Sequence, residues 1–316
     1  MAFLSGDGKA DAFAKGHGRA APRAVRNLLM RVLVLGADGQ VGRSLTAVAP
    51  ADAEVLALGR ASCDLTDRSA IESMIYRVAP DLIFNAAAYT AVDAAEDNPE
   101  LAALVNRDAV CWIAQAASAR GSRLVHISTD FVFDGLSSRP YPVEHPVHPL
   151  SAYGRSKSEG ETQALQDGSN LVVRTSWVYA AQGTNFVLTM LRLMKERGSV
   201  RVVADQIGSP TYAPSLATSL WDLARQDSRG IFHVTDAGVA SWYDFAVAIA
   251  EEGRAAGLLS GPVSVSPISS ADFPMKAVRP SFSVLDKSRT VEVLGRELPH
   301  WRSNLRLMIK EVQALG

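Results

Sequence analysis

The pair Tyr153 and Lys157 is the part of this chain best suited to proton transfer. In a helix, residues four positions apart lie on one face, so the phenol and the ammonium would be neighbours. A free phenol titrates near ~10 and donates poorly at neutral pH unless a cation stabilises its phenolate. With Lys157 in that role, Tyr153 could protonate the oxygen of a carbonyl under reduction. A solvated helix face is the alternative.

A glycine-rich turn near residue 36 predicts a dinucleotide site. Residues 31–35 form an apolar run typical of a buried parallel strand, and a helix is predicted over 40–48. Between them the spacing is G-x-x-G-x-x-G, with Gly36, Gly39 and Gly42. The N–H groups of such a turn and the positive end of the helix can face a pyrophosphate. A tight turn without a ligand is the alternative.

The end of the second predicted strand, residues 54–58, bears on the choice of coenzyme. A dinucleotide site contacts the adenosine ribose at this point, and here the chain has Gly59 and Arg60. An acid would suit the 2′-hydroxyl of NADH, whereas an arginine suits the 2′-phosphate of NADPH. We therefore expect NADPH, with NADH possible. Asp64 and Leu65 could border the adenine or belong to a solvated loop.

Two more predicted strands bring polar groups to the same edge of a sheet. Residues 81–85 lead into small residues that would let a cofactor lie against the backbone. Residues 123–127 deliver Thr129 and Asp130 to the carboxyl end of the sheet, where ligands bind in open α/β folds. Tyr153 from the next helix can converge there with the Thr129 hydroxyl. The fold class predicted is α/β, a Rossmann-type doubly wound parallel sheet.

The second half of the chain predicts a smaller C-terminal substrate-binding lobe. We expect a dinucleotide-binding domain over residues 30–180 and mainly the lobe over 181–316. Strands near 201–203 and 231–234 are expected to return to the sheet. Further predicted elements are a strand at 170–175 and helices near 185–197, 215–225, 242–252 and 301–314.

Composition argues against several classes of function. A chain of 316 residues that is 47% hydrophobic and carries a net charge of −1 has no general basic surface for nucleic acid or anionic membranes. No segment approaches the ~20 apolar residues of a membrane span. Cys63 and Cys111 form no C-x-x-C motif and fit a reduced, cytoplasmic protein. Residues 1–29 lack a lasting period, and we expect them to be disordered.

Six stretches in a fixed order carry a resemblance to a known family. They are GADGQVG at 36–42, NAAAYTAVDAAE at 85–96, STDFVFDG at 128–135, YGRSK at 153–157, RTSWVY at 174–179 and DQIGSPT at 205–211. In these stretches the chain resembles the extended short-chain dehydrogenase/reductases, and among them most closely the dTDP-4-dehydrorhamnose reductases. The resemblance extends from residue 30 nearly to the C-terminus.

The resemblance implies roles for individual residues. It implies pyrophosphate binding by Gly39, Gln40 and Val41, adenine contacts by Asp64 and Leu65, and a coenzyme lining of Ala88, Tyr89 and Thr90. It further implies a catalytic group of Thr129, Tyr153 and Lys157, with Lys157 also binding the coenzyme ribose, and substrate contacts by Thr129, Asp130 and Trp177. An indole suits the Trp177 position because its flat face can cover a pyrimidine or a sugar ring. A core tryptophan is the alternative.

The chain departs from the family where some members bind magnesium at a dimer interface. The positions matching two of the glutamate ligands are Ser44 and Pro214 here, so we expect no metal site. His126, His145 and His148 also lack partners at metal-ligand spacing.

The activity expected from the resemblance is reduction of the C4 keto group of dTDP-4-dehydro-β-L-rhamnose by NADPH, in a monomer or homodimer. A sugar-nucleotide 4,6-dehydratase or epimerase would share the fold, but dehydratase relatives have Thr-Asp-Glu at the strand end, where this chain has Phe131. The regulatory β subunit of methionine adenosyltransferase is similar in sequence and serves as a partner-binding module. Intact Thr129, Tyr153, Lys157 and Trp177 favour an enzyme.

Overall fold

The computed structural model describes residues 29–315. Within this range the strands are β1 (Met30–Leu35), β2 (Ala53–Leu58), β3 (Leu82–Asn85), β4 (Arg123–Thr129), β5 (Leu171–Thr175), β6 (Val178–Tyr179), β7 (Ser199–Val203), β8 (Ile207–Gly208), β9 (Thr211–Tyr212), β10 (Gly230–His233), β11 (Ala240–Ser241) and β12 (Ser264–Ile268). The helices are α1 (Gln40–Ala47), α2 (Arg68–Val78), α3 (Val92–Asp97), α4 (Pro99–Ala103), α5 (Ala109–Arg120), α6 (Ala152–Ala164), α7 (Phe186–Arg197), α8 (Ala213–Arg225), α9 (Trp242–Ala255), α10 (Ser288–Leu294) and α11 (Trp301–Leu315). The predicted disorder of residues 1–29 falls, except for Leu29, outside the described residues.

A parallel sheet of six strands forms the centre of the fold, in the order β10-β5-β4-β3-β1-β2. The chain runs outward from β1 to β2 and then returns to the other side of β1 with β3. The strand order therefore reverses between β1 and β3, which is the place where a doubly wound sheet opens a crevice for ligands. The predicted Rossmann-type sheet is confirmed.

Helices cover both faces of this sheet, because side chains along each strand alternate between two apolar layers. Leu33 and Ile83 pack with Ile71 of α2 on one face. Val34 and Phe84 lie on the other face, in the layer formed with α1 and α8. No helix in the described range is both long and apolar enough to cross a lipid bilayer.

A separate apolar cluster, built mainly by α7, α9 and α11, forms the core of the C-terminal lobe. The prediction that residues 201–203 return to the main sheet is wrong, because β7 pairs with β12 in a separate two-stranded sheet. The residues of β7 alternate, with Val200 and Val202 buried and Arg201 exposed. That pattern suits a sheet with one solvated face, whereas the central strand β5 is buried throughout. The strand predicted at 231–234 is β10, at the edge of the main sheet.

Candidate active site

A cavity of about 860 Å³ lies at the carboxyl ends of the central strands and reaches the C-terminal lobe. Its walls include most of the residues predicted to form the site: Gly36, Gly39, Gln40, Val41, Arg60, Asp64, Leu65, Ala88, Tyr89, Thr90, Thr129, Asp130, Tyr153, Lys157 and Trp177. The structure therefore brings the predicted coenzyme, catalytic and substrate residues into one space. Gly42 lies just behind the wall, in α1.

The glycine turn has no room for side chains. Gly36 has φ +80°, and a Cβ on it would lie 2.6 Å from the backbone nitrogen of Ala87. A Cβ on Gly42 would lie 2.2 Å from the carbonyl oxygen of Gly36, so α1 packs directly on the turn. No side chain caps the first turn of α1. Its N–H groups and its positive end are therefore available to an anion at this end of the cavity.

At the adenosine edge the structure adds an acid that the sequence analysis missed. A Cβ on Gly59 would lie only 1.8 Å from Oδ2 of Asp38, so the Asp38 carboxylate fills the space that a side chain at residue 59 would take. Asp38 and Arg60 both line the cavity. The expectation of NADPH rested on Gly59 and Arg60 alone, whereas Asp38 brings a carboxylate to the same edge from the glycine turn.

The loop before α6 fixes the position of Tyr153 and Lys157. Ser151 caps the helix, its hydroxyl accepting from the Gly154 N–H at 3.1 Å. A Cβ on Gly154 would lie 2.3 Å from the carbonyl oxygen of Phe131, so α6 packs closely on the segment after β4. Tyr153 and Lys157 are consequently buried one helical turn apart.

Lys157 does not interact with Tyr153 in the way that the spacing suggested. Its Nζ donates to the carbonyl oxygen of Ile127 at 2.7 Å and lies 3.2 Å from Nε2 of His126. Burial raises the pKa of Tyr153 to about 12, although hydrogen bonding with Thr129 opposes the rise. Burial also lowers the pKa of Lys157 to about 8. The expected lowering of the phenol pKa by Lys157 is therefore not observed, because desolvation dominates at both groups.

Asp130 lines the cavity and has a buried carboxylate oxygen without a partner in the described range. Its Oδ1 accepts from the Thr129 hydroxyl at 3.1 Å, whereas its buried Oδ2 has no hydrogen-bond partner among the described residues. Burial raises the pKa of this carboxyl to about 6. A buried oxygen without a partner is unfavourable, so Oδ2 is suited to accept a hydrogen bond from a ligand hydroxyl.

Trp177 forms an aromatic wall together with a residue that the sequence analysis did not assign to the site. Its ring stacks on Trp242 with centroids 3.5 Å apart and planes 8° from parallel. The backbone of Trp177 has φ +47°, an unusual value for a tryptophan. Gly208 lies against its indole, where a Cβ would come within 2.7 Å of the ring. The indole is thus held at the cavity wall rather than enclosed in the core.

Within residues 29–315, no group of three or more His, Cys, Asp or Glu side chains gathers in a way that could hold a metal ion. Ser44 lies buried in α1 and Pro214 in the first turn of α8. These two helices pack against each other on one face of the main sheet.

Comparison with known proteins gives a consistent result. Residues 30–314 match the RmlD substrate binding domain family. A dTDP-4-dehydrorhamnose reductase of Burkholderia thailandensis is 42% identical over 296 residues, covering 90% of this chain and 99% of the relative. One of Sinorhizobium fredii is 41% identical over 291 residues, covering 89% and 97%. This chain belongs to the dTDP-4-dehydrorhamnose reductase family.

This member of the dTDP-4-dehydrorhamnose reductase family is also similar in three-dimensional structure to a solved relative. A dTDP-4-dehydrorhamnose reductase of Bacillus anthracis, in complex with NADP, superimposes with a TM-score of 0.85 at 34% identity, covering 89% of this chain and 99% of that one. The family resemblance read from the six motifs is confirmed.

Proposed function

We propose that this chain reduces the C4 keto group of dTDP-4-dehydro-β-L-rhamnose to give dTDP-L-rhamnose, using NADPH. The observation that carries the proposal is the single cavity in which a glycine turn, the Tyr153 phenol and the Trp177 indole are all exposed to one ligand space. Relatives that are more than 40% identical over most of their length are named for this activity, which supports the choice of substrate.

The end of the cavity at β1 suits a dinucleotide. Gly36, Gly39 and Gly42 leave the backbone open to a pyrophosphate, and a Cβ at the first or third of these positions would overlap backbone atoms. Gln40 and Val41 begin α1, whose positive end faces the same space. Asp64, Leu65, Ala88, Tyr89 and Thr90 would line the rest of the coenzyme. When bound, NADPH supplies the hydride for the C4 carbon.

Tyr153 is suited to be the acid in this direction of the reaction. Because burial raises its pKa to about 12, the phenol keeps its proton at neutral pH, and giving it to the carbonyl oxygen requires a cation that stabilises the phenolate. The Thr129 hydroxyl, which donates to Oδ1 of Asp130, lines the same cavity and can help to orient the carbonyl oxygen. A positive charge on Lys157, one turn away, would stabilise the phenolate left after proton transfer.

The opposite end of the cavity suits the nucleotide sugar. Oδ2 of Asp130 can accept from a sugar hydroxyl. The stacked Trp177 and Trp242 offer a flat apolar surface to the pyrimidine or the sugar ring. We also propose that the enzyme works in the cytoplasm, since both cysteines of the described chain are free thiols. We propose separately that it is a monomer or homodimer.

The test is an assay of NADPH oxidation with the 4-keto sugar nucleotide made in situ from dTDP-glucose, followed by identification of the product. The wild type should form dTDP-L-rhamnose in step with NADPH consumption, and Tyr153→Phe, which removes one hydroxyl, should be a nearly inactive control. Copurification of a synthetase partner without reductase activity would contradict the proposal and favour a partner-binding module.

A further inference from the structure

A buried row of three polar side chains connects the central sheet to the proposed catalytic lysine. Asn85 ends β3 and lies beside His126 of β4 in the parallel register. Nδ2 of Asn85 is 3.2 Å from Nδ1 of His126, and Nε2 of His126 is 3.2 Å from Nζ of Lys157. All three residues are almost fully buried, with at most 1% of their surface exposed. Their hydrogens must therefore be shared among themselves and the adjacent backbone.

The orientation of the Asn85 amide follows from the backbone. The N–H of Ala87 donates to Oδ1 of Asn85 at 3.2 Å, so the oxygen side of the amide points to that N–H and the NH₂ group points to His126. An amide NH₂ can only donate. Nδ1 of His126 must then accept, which leaves the hydrogen of the neutral imidazole on Nε2.

The hydrogen on Nε2 points at Lys157. An ammonium can only donate, so a charged Lys157 would place two donors 3.2 Å apart. A neutral amine resolves the conflict, because its lone pair accepts from Nε2–H while one of its N–H groups donates to Ile127. With the amine neutral, burial alone acts to hold the pKa of His126 below its usual range, so the ring stays neutral.

Glu161 favours the ammonium form of Lys157, but burial has the larger effect, so the charged and titratable groups around Lys157 do not reverse the preference for the neutral amine. On α6, the neighbours are the Tyr153 phenol, which burial keeps protonated, and Glu161, which is one turn further on. The Glu161 carboxylate already accepts from Ser128 at 2.6 Å and from Arg174 of β5 at 2.7 and 2.9 Å. Asp130, after β4, is the remaining acid, and burial raises its pKa to about 6.

We infer that Asn85 and His126 are positioning residues that favour the neutral amine of Lys157 and so set the pH above which the lysine no longer assists Tyr153. The catalytic part of this inference rests on the proposed reductase function. The direction of the hydrogen bonds along Asn85, His126 and Lys157 does not depend on that function. Burial also favours the neutral amine, because it is the main cause that lowers the pKa of Lys157 to about 8.

The substitution Asn85→Asp tests this polarity with almost no change in shape. A carboxylate can accept from both the Ala87 N–H and Nδ1–H of His126, which moves the ring hydrogen to Nδ1 and leaves Nε2 as an acceptor for an ammonium. NMR titration of isotope-labelled lysine in the full-length protein, with Lys157→Met used to assign the signal, should show a proton affinity of Lys157 about ten-fold or more above wild type. Asn170→Asp, at a buried asparagine just before β5 whose side chain accepts from the Leu124 N–H, is the matched control and should leave the proton affinity of Lys157 unchanged.

A second variant separates the hydrogen bond from the added charge. In Asn85→Asp combined with His126→Leu, the carboxylate remains, but the ring that joins it to Lys157 by hydrogen bonds is gone. Most of the increase in the proton affinity of Lys157 should therefore disappear. An undiminished increase would contradict the inference. If Asn85→Asp does not fold, nitrogen NMR of the His126 ring in the wild type decides the question: hydrogen on Nε2 supports the inference, and hydrogen on Nδ1 overturns it.

The catalytic consequence has its own measurement. Since the ammonium is the assisting form, kcat/KM should fall as the pH rises through the pKa of Lys157 in the free enzyme, and Asn85→Asp should move this fall to higher pH. If Asn85→Asp left the pH of this fall in kcat/KM unchanged, Asn85 and His126 would have only a structural role. None of the NMR measurements uses NADPH or the sugar, so a protein with the stated titration and no reductase activity would refute the proposed function and leave the hydrogen-bond polarity intact.

Discussion

The adenosine edge of the cavity predicts how the enzyme selects its coenzyme. Arg60 can take a 2′-phosphate through charge-assisted hydrogen bonds, each of which contributes about 1.5–3 kcal/mol where water is excluded. Arg60 is exposed, so solvent and salt reduce the net contribution to about 1.4 kcal/mol, or ~10-fold. We therefore expect NADPH to be preferred to NADH by roughly 10-fold, and Arg60→Ala to remove this preference by lowering the efficiency with NADPH alone.

Asp38 acts in the opposite direction at the same edge. Its carboxylate occupies the space beside Gly59 and would repel a 2′-phosphate. Two unit charges about 7 Å apart in a water-like dielectric interact by roughly 0.6 kcal/mol, or about three-fold. Asp38→Asn should therefore raise the NADPH preference to roughly 30-fold, and further if the carboxylate also accepts from the 2′-hydroxyl of NADH.

The assay is kcat/KM for both coenzymes in wild type and variants at fixed ionic strength. Arg68→Ala is the matched control, because Arg68 is exposed nearby on α2 and pairs with Glu72 at 2.7 Å. Equal losses for NADPH and NADH in Arg60→Ala would show that Arg60 does not read the 2′-phosphate. An unchanged ratio in Asp38→Asn would remove Asp38 from the ribose site, and a wild type that prefers NADH would refute the assignment.

Three further variants test the remaining parts of the cavity. Tyr153→Phe should lower single-turnover rates by roughly 10²- to 10⁴-fold while NADPH still binds, and a near-normal rate would make the tyrosine structural. Trp177→Ala should raise the KM for the nucleotide sugar about 5- to 150-fold, because an apolar stacking contact of roughly 1–3 kcal/mol is lost; an unchanged KM in a folded variant would exclude that contact. Gly42→Ala places a Cβ 2.2 Å from a backbone oxygen and should weaken NADPH binding, measured by fluorescence titration, about ten-fold or more. Gly168→Ala, where a Cβ meets nothing within 4 Å, should bind normally.

The sequence predicted those features that depend on neighbours along the chain. An apolar run followed by a glycine turn indicated β1 and α1, and both lie within a residue of their predicted bounds. Tyr153 and Lys157 share a helix and line one cavity, as their spacing indicated. Local chemistry and the order of the motifs were sufficient for these features.

Features that depend on contacts between distant segments could not be predicted in this way. Trp242 reads as the start of a helix, and only the folded chain shows its stack on Trp177. His126 was considered only as a metal ligand, because nothing in the sequence indicates that it lies between Asn85 and Lys157. The pKa of Tyr153 was predicted from a nearby cation, whereas the depth of burial decides its direction.

The central claim is that the C4 keto carbon of the sugar receives a hydride from the coenzyme while Tyr153 protonates the oxygen. It is tested most directly with NADPH that carries deuterium at the transferable position of the nicotinamide, incubated with dTDP-4-dehydro-β-L-rhamnose and the full-length protein. The account predicts dTDP-L-rhamnose with one deuterium at C4 for each NADPH oxidised. A product without deuterium at C4, or turnover without net oxidation of NADPH as in a dehydratase or an epimerase, would contradict it.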